Sequence, residues 1–146
     1  MIKVNSNLRI VRASAAYDLL VTAPFMTPWT AALCLQALAT LSDTLGLQRP
    51  VPMLDVTAML FANLLGSVVV IWSLWRLRQP SRAIGQFDAM ARVLFACWQL
   101  YAVTQGASFL LLGFTLFEVI FAIAQSLPVR QPDDCTNGKN PQLSAH

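Results

Sequence analysis

The sequence predicts an all-α fold, an integral membrane bundle of four helices over residues 1–128, with a polar tail over 129–146. Three observations carry that prediction. Apolar residues make up 56% of the chain and charged residues only 12%, where a soluble domain carries charge on about a quarter of its positions; the mean hydropathy is +0.57. The windows AMLFANLLGSVVVIWSLW (58–75) and ASFLLLGFTLFEVIFAIA (107–124) are apolar all round, whereas a helix on the surface of a soluble protein keeps one polar face. The apolar stretches also come in lengths near the ~20 residues that a helix needs to cross a hydrocarbon layer about 30 Å thick.

The first segment, about Ala13 to Leu41, is too long for one straight crossing and contains Pro24 and Pro28. A kink, a tilt or an amphipathic extension from about Trp29 must absorb the excess. The second segment is about Val56 to Trp75, the third about Ala83 to Val103 and the fourth about Ala107 to Leu127, where Pro128 stops the helix. SDTLGLQRPVPML (42–54) has the Gly and Pro content of a true loop. RLRQPSR is a basic turn with Pro80, and TQGAS a tight turn around Gly106. The tail VRQPDDCTNGKNPQLSAH is almost free of apolar residues and is expected to be disordered. The polar start MIKVNSNLRIVR precedes a long apolar run with no A-x-A site closed off by polar residues, which argues against a cleaved signal peptide.

Basic residues near segment ends are retained on the cytoplasmic side. Lys3, Arg9 and Arg12 precede the first segment, Arg76, Arg78, Arg82 and Arg92 flank the second link, and Arg130 and Lys139 lie in the tail; only Arg49 falls in the other two links. This bias places both termini in the cytoplasm, as an even number of crossings requires. RASAAYD (12–18) and RAIGQFD (82–88) share Arg, Ala, an aromatic and Asp at matching positions, and FANLLG (61–66) resembles SFLLLG (108–113) more weakly. A tandem pair of helical hairpins explains both matches; the competing account is that apolar helices with basic entrances resemble one another.

An ionisable group costs about 2.5 to 3.5 kcal/mol at the centre of a membrane helix, so each needs a partner or a wet surface. At about 1.5 Å of rise per residue, Asp18 and Asp88 lie roughly 8 Å into their segments, and Arg92 and Glu118 both about 13 Å from the cytoplasmic end. Helices joined by the TQGAS turn are antiparallel neighbours, so Arg92 and Glu118 are expected to pair, with Asp88 supporting Arg92 at i, i+4. Asp18 joins if the first helix packs on the third. Asn63 completes the expected polar cluster, and Gln99 and Tyr17 are further hydrogen-bond candidates. The competing account makes Asp18 and Asp88 interfacial acids at positive helix ends and lets Arg92 snorkel to headgroups.

Catalytic templates fail. The only histidine, His146, is the last residue of the tail, and no Walker or GxGxxG loop occurs. Cys34, Cys97 and Cys135 have no CxxC or CxxH spacing, so no metal or disulfide framework is encoded, and Cys97 is expected to be a small core residue. A metal site built from Asp18, Asp88 and Glu118 alone would compete with an arginine. The net charge of +3 includes no basic patch with interleaved aromatics, which excludes nucleic acid as the expected partner. No cofactor is expected. Trp29, Trp72 and Trp75 suit an interfacial belt. Trp98, Tyr101, Phe109, Phe114, Phe117 and Phe121 form a stripe that is either packing surface or the lining of a lipid or quinone groove. Gly66 with Ser67, Gly113 and the run ASAA (13–16) are points where helices can approach closely, although no full GxxxG is present.

The runs AYDLLVTAPFMTPWTA, FANLLGSVVVIWSLWRLRQPSR and GQFDAMARVLF together resemble small four-helix bacterial inner-membrane proteins over about residues 12–127. In size and topology the chain is also similar to the DoxX-like proteins, without a distinctive motif of that family. The resemblance implies the architecture and a bacterial setting, and no activity. The function expected is that of a non-enzymatic accessory or assembly protein of the inner membrane, whose partners are the lipid bilayer and either another membrane protein or a second copy of itself. The alternatives are a small oligomeric or proton-coupled transporter, and a lipid- or quinone-binding subunit.

Overall fold

The computed structural model describes residues 2–47, 49–127 and 129–130. Among the described residues five helices carry the fold: α1 (Val4–Thr22), α2 (Pro28–Thr44), α3 (Val56–Arg78), α4 (Arg82–Thr104) and α5 (Leu111–Ser126). The expected first segment is thus two helices. Pro24 falls in a 3-10 turn, Ala23–Met26, and Thr27 is extended (φ −130°, ψ 149°), the conformation forced on a residue before proline. Thr27 then caps α2 by accepting the Thr30 N–H, while the Thr30 hydroxyl donates to the Pro24 carbonyl, 2.5 Å away. With the break so satisfied, α2 departs from the line of α1 by 113°. That angle is a change of direction rather than a kink within one rod.

The other helices start and stop where their chemistry dictates. Asp55 caps α3 through the Ala58 N–H at 2.6 Å, and Ser81 caps α4 through the Ile84 N–H at 3.2 Å. Helix α3 runs three residues past the expected end at Trp75, to Arg78, before Pro80 interrupts the chain. Gly106, at φ +105°, turns the chain between α4 and α5. Helix α5 begins four residues later than expected, because Ser108–Leu110 form a turn in which the Ser108 hydroxyl accepts the Leu110 N–H.

Helices α4 and α5 form a closely packed antiparallel hairpin, and α1 packs along α3. Although α3 and α4 are consecutive, α1 rather than a direct interface joins them, since it also reaches α4 and α5. Two small residues permit these approaches. A Cβ added at Gly66 would lie 2.8 Å from the backbone of Phe25, and one at Gly85 would lie 2.9 Å from Val11 Cγ2. At the end of the hairpin formed by the α4–α5 turn, Ser42 of α2 shares a hydrogen bond with Ser108 (3.2 Å), and Arg49 donates to the Val103 carbonyl (2.5 Å) with its guanidinium over the Phe109 ring.

At the opposite end Ile2–Lys3 pairs in parallel with Val129–Arg130, bringing the two ends of the described chain together. The expected tail therefore begins with two ordered residues; residues 131–146, Cys135 and His146 among them, lie outside the described residues.

Burial is inverted relative to a soluble domain. The buried apolar residues are few and mostly small, among them Ala15, Ala31, Ala89, Ala96 and Ala122, whereas Arg76, Arg92, Ser14, Ser73, Asp88 and Gln125 are all buried. The large apolar side chains of α3 and α4 face outward.

Candidate functional site

The buried polar groups converge between α1, α3, α4 and α5. Helical periodicity places Ser14 and Asp18 one turn apart on α1, Ser73 and Arg76 at i, i+3 on α3, Asp88 and Arg92 at i, i+4 on α4, and Glu118 and Gln125 two turns apart on α5. Packing then turns these four stripes toward one another.

Arg92 is the centre of the cluster. Its Nε lies 3.1 Å from Asp88 Oδ2, its Nη1 2.7 Å from Glu118 Oε2 and its Nη2 2.6 Å from Asp18 Oδ2, so one guanidinium ties three helices, with its face over the Phe121 ring. Arg76 brings in the fourth helix, with Nη2 2.5 Å from Asp18 Oδ2 and Nη1 2.5 Å from Asp88 Oδ1. It also donates to the Ser73 hydroxyl at 3.0 Å. Gln125 donates through Nε2 to Ser14 Oγ (2.6 Å) and to Asp88 Oδ2 (2.8 Å), closing the cluster on the α5 side. Among the described residues, Arg76 Nε and Gln125 Oε1 are buried polar atoms of the cluster without a partner.

Four of the five residues expected from sequence, Asp18, Asp88, Arg92 and Glu118, meet here. Asn63 does not. It precedes Arg76 by almost four turns on α3, roughly 20 Å along the axis, and lines an open cleft of about 370 Å³ with Pro28, Leu54, Asp55, Val56, Met59 and Leu60. Its Oδ1 is buried and has no partner among the described residues. The interfacial account of Asp88 and the snorkelling account of Arg92 also fail, because these residues are only 4% and 2% exposed. The two expected hydrogen-bond candidates have other roles. Tyr17 stacks on Phe117 and meets Phe121 at a tilt, with ring centroids 5.1 and 5.7 Å apart; Gln99 accepts from Thr115 at 2.8 Å.

Sequence reasoning missed Arg76, Ser14, Ser73 and Gln125. Arg76 was read as a topology signal one residue beyond its segment, yet it is fully buried. A charge count gives the missing signal: three acids at similar depth and one arginine call for a second cation, and a long arginine at a helix end can reach inward. Ser14 lies in the run ASAA (13–16), which marks a close approach of helices and not a polar contact, and Gln125 carries no charge and belongs to no motif.

The chemistry available follows from these contacts. Both guanidiniums are engaged by carboxylates, and among the described residues only Arg76 Nε is left without a partner on either of them. Among the described residues no group of three His, Cys, Asp or Glu side chains is placed to hold a metal ion. The aromatic stripe divides: Phe117 and Phe121 pack on Tyr17, Phe109 lies under Arg49, and Trp98 and Tyr101 form an exposed edge-to-face pair. Cys97, expected in the core, is exposed, because it lies outside the buried stripe of Gly85, Asp88, Ala89, Arg92 and Ala96 on α4.

Comparison with models of known protein families, with curated proteins and with solved structures finds no match.

Proposed function

We propose that the chain is a multi-pass protein of the bacterial inner membrane, with both termini in the cytoplasm, that serves as a non-enzymatic accessory or assembly component. The inverted burial carries this reading. Val56, Leu20, Ile71 and Trp98 are 89%, 78%, 67% and 66% exposed, while Arg76 is fully buried. In water each such apolar side chain would forgo about 1.5 to 3 kcal/mol of burial, and contiguous apolar surface on this scale marks an interaction with lipid or protein. In a bilayer the same arrangement is favourable, because charged groups must turn inward and pair. Helix α3 is long and apolar enough to cross alone, and only 17% of its apolar window is buried, unlike the core helix of a soluble protein. The bent pair of α1 and α2 passes the same measure only when taken together, as a broken span or a re-entrant loop, and α5 is a shorter apolar helix. The pairing of Ile2–Lys3 with Val129–Arg130 keeps the two ends on one side, in keeping with the distribution of basic residues.

An assembly role is favoured because the cluster spends its charges on joining helices rather than on facing a cavity. Purification in a mild detergent, with mass determination and identification of what co-purifies, tests it. A protein partner at fixed ratio is expected; a partner-free protein carrying stoichiometric quinone would move the reading to a quinone-binding subunit. A proton-coupled carrier is the second reading, favoured by one observation, the unequal number of acids and bases in the cluster. Reconstituted vesicles with pH-driven flux that Glu118→Gln abolishes would establish it in place of the first.

A further inference from the structure

Arg9 and Arg12 of α1, Arg78 at the end of α3 and Arg82 at the start of α4 are exposed and, among the described residues, make no ion pair. Three contacts show that α1 and α4 run side by side in one register: Val11 at Gly85, Ser14 on Asp88 and Asp18 on Arg92, each pair 74 residues apart. That register sets Arg9 level with Ala83, next to Arg82, and Arg12 roughly 4.5 Å further along the axis. Arg78 precedes Arg82 by four residues across the Pro80 turn and follows Arg76, whose guanidinium lies against Asp18. The four exposed arginines therefore share one end of the bundle. The acids of the described helices and caps lie elsewhere. Asp18, Asp88 and Glu118 are engaged by Arg76 and Arg92, while Asp43 and Asp55 belong to the opposite end, beside the Ser42 contact with Ser108 and at the start of α3.

We propose that this end of the protein is a docking surface for an anionic phospholipid, with Arg78 and Arg82 taking the headgroup phosphate and the outer face of α3 taking an acyl chain. Trp75, Ile71, Val68 and Leu64 precede Arg78 at intervals of three and four residues, which puts all five on one face of the helix, and all are exposed. The order along that face is the order of groups in a phospholipid. Arg78 offers planar guanidinium donors that match phosphate oxygens, Trp75, edge to face with Trp72, is of the type that sits at headgroup level, and the aliphatic residues follow at acyl depth. Charge complementarity selects the headgroup. A zwitterionic lipid would bring an ammonium group to an end with four unpaired cations and, among the described residues, no unengaged acid, whereas a lipid of net negative charge meets only attraction. The inference rests on the membrane reading above and adds to it a choice of lipid.

The test uses the full chain in phosphatidylcholine vesicles carrying a trace of spin-labelled phosphatidylglycerol or, in parallel, of spin-labelled phosphatidylcholine with the same chains. The motionally restricted part of the electron spin resonance spectrum reports the lipid held at the protein surface. Phosphatidylglycerol is expected to be held about fivefold more strongly, the equivalent of one guanidinium at an anionic surface, and the preference should shrink as salt is raised. Combining Arg78→Gln with Arg82→Gln should abolish it without lowering the unfolding temperature, since neither side chain pairs with another described residue. Equal retention of the two lipids by the wild type, a preference insensitive to salt, or one that survives the double substitution overturns the proposal. Asp133 and Asp134, in the tail outside the described residues, are the competing anions. A preference that appears only after both are changed to Asn assigns the arginines to the tail and overturns the proposal for the full chain. Failure of the membrane reading is seen separately, as a protein that alkaline carbonate extracts from membranes and that restricts neither lipid.

Discussion

The two ends of the helical assembly are held together by different physics. At one end Arg76 and Arg92 reach three carboxylates on three different elements through contacts of 2.5 to 3.1 Å. At the other, α2 and the loop after it meet the α4–α5 turn through a serine pair, one arginine on a backbone carbonyl and one ring face. Between them the 3-10 turn seats its backbone on Gly66. The charged end selects which helices may meet, because a helix lacking the right charge leaves another unpaired. The other end supplies shape and local hydrogen bonds, which tolerate substitution better.

Replacing Arg92 by Met should break this contrast most severely. It leaves Asp18, Asp88 and Glu118 to a single cation, and removing one partner of a buried charge network costs about 3–5 kcal/mol. A large fall in the unfolding temperature in mild detergent is expected, and an unchanged temperature would show that the contacts do not hold the helices. Next in size is Gly66→Ala, where the new methyl must displace the Phe25 backbone 2.8 Å away. Overpacking of this kind costs about 1–3 kcal/mol. Gly113→Ala is its control, having nothing within 4 Å of the added Cβ; it should be neutral or gain up to about 1 kcal/mol of helix propensity. If both glycine variants behave alike, the close approach at Gly66 is not a constraint.

Gln125→Ala should cost about 1.5 kcal/mol, in the range for a hydrogen bond to a charged group. The loss should be smaller when measured in an Asp88→Asn background, because the bond to Asp88 Oδ2 is part of it. Equal losses in the two backgrounds would place the effect of Gln125 elsewhere. The smallest effect belongs to the other end. Ser42→Ala removes neutral hydrogen bonds only, to the Ser108 hydroxyl at 3.2 Å and, at 3.5 Å, to the Arg49 carbonyl, a change of about 1 kcal/mol. A loss as large as that of Arg92→Met would erase the distinction between the two ends.

Much of this was legible in the sequence, for reasons that differ by residue. The starts of α3 and α4 were readable because proline and glycine punctuate the chain locally. The pairing of Arg92 with Glu118 followed from a short turn and equal depth, since an antiparallel hairpin converts sequence distance into height. RASAAYD and RAIGQFD, read in the sequence as a repeated basic entrance, hold a feature that reading did not predict. Their aspartates meet the same two guanidiniums, and Ala15 and Gly85, at matching positions, are both buried. Asn63 was misplaced because intramembrane polarity alone gave no height for it relative to the cluster. Arg76 was misread because one residue type serves two purposes at a helix end, marking orientation when exposed and pairing when buried.

The sequence by itself determined the helical class, the breaks at Pro24, Pro28 and Pro80, and the matching level of Arg92 and Glu118 on their two helices, because periodicity and backbone chemistry act within a few residues. Only the tertiary structure decided that α2 turns away from α1, that α1 rather than α3 lies against the α4–α5 hairpin, and that Arg76 faces inward. Those choices depend on which faces meet. That is settled by close contacts such as Gly66 with Phe25 and by neutralising charges from four helices together, neither of which is written in any one segment.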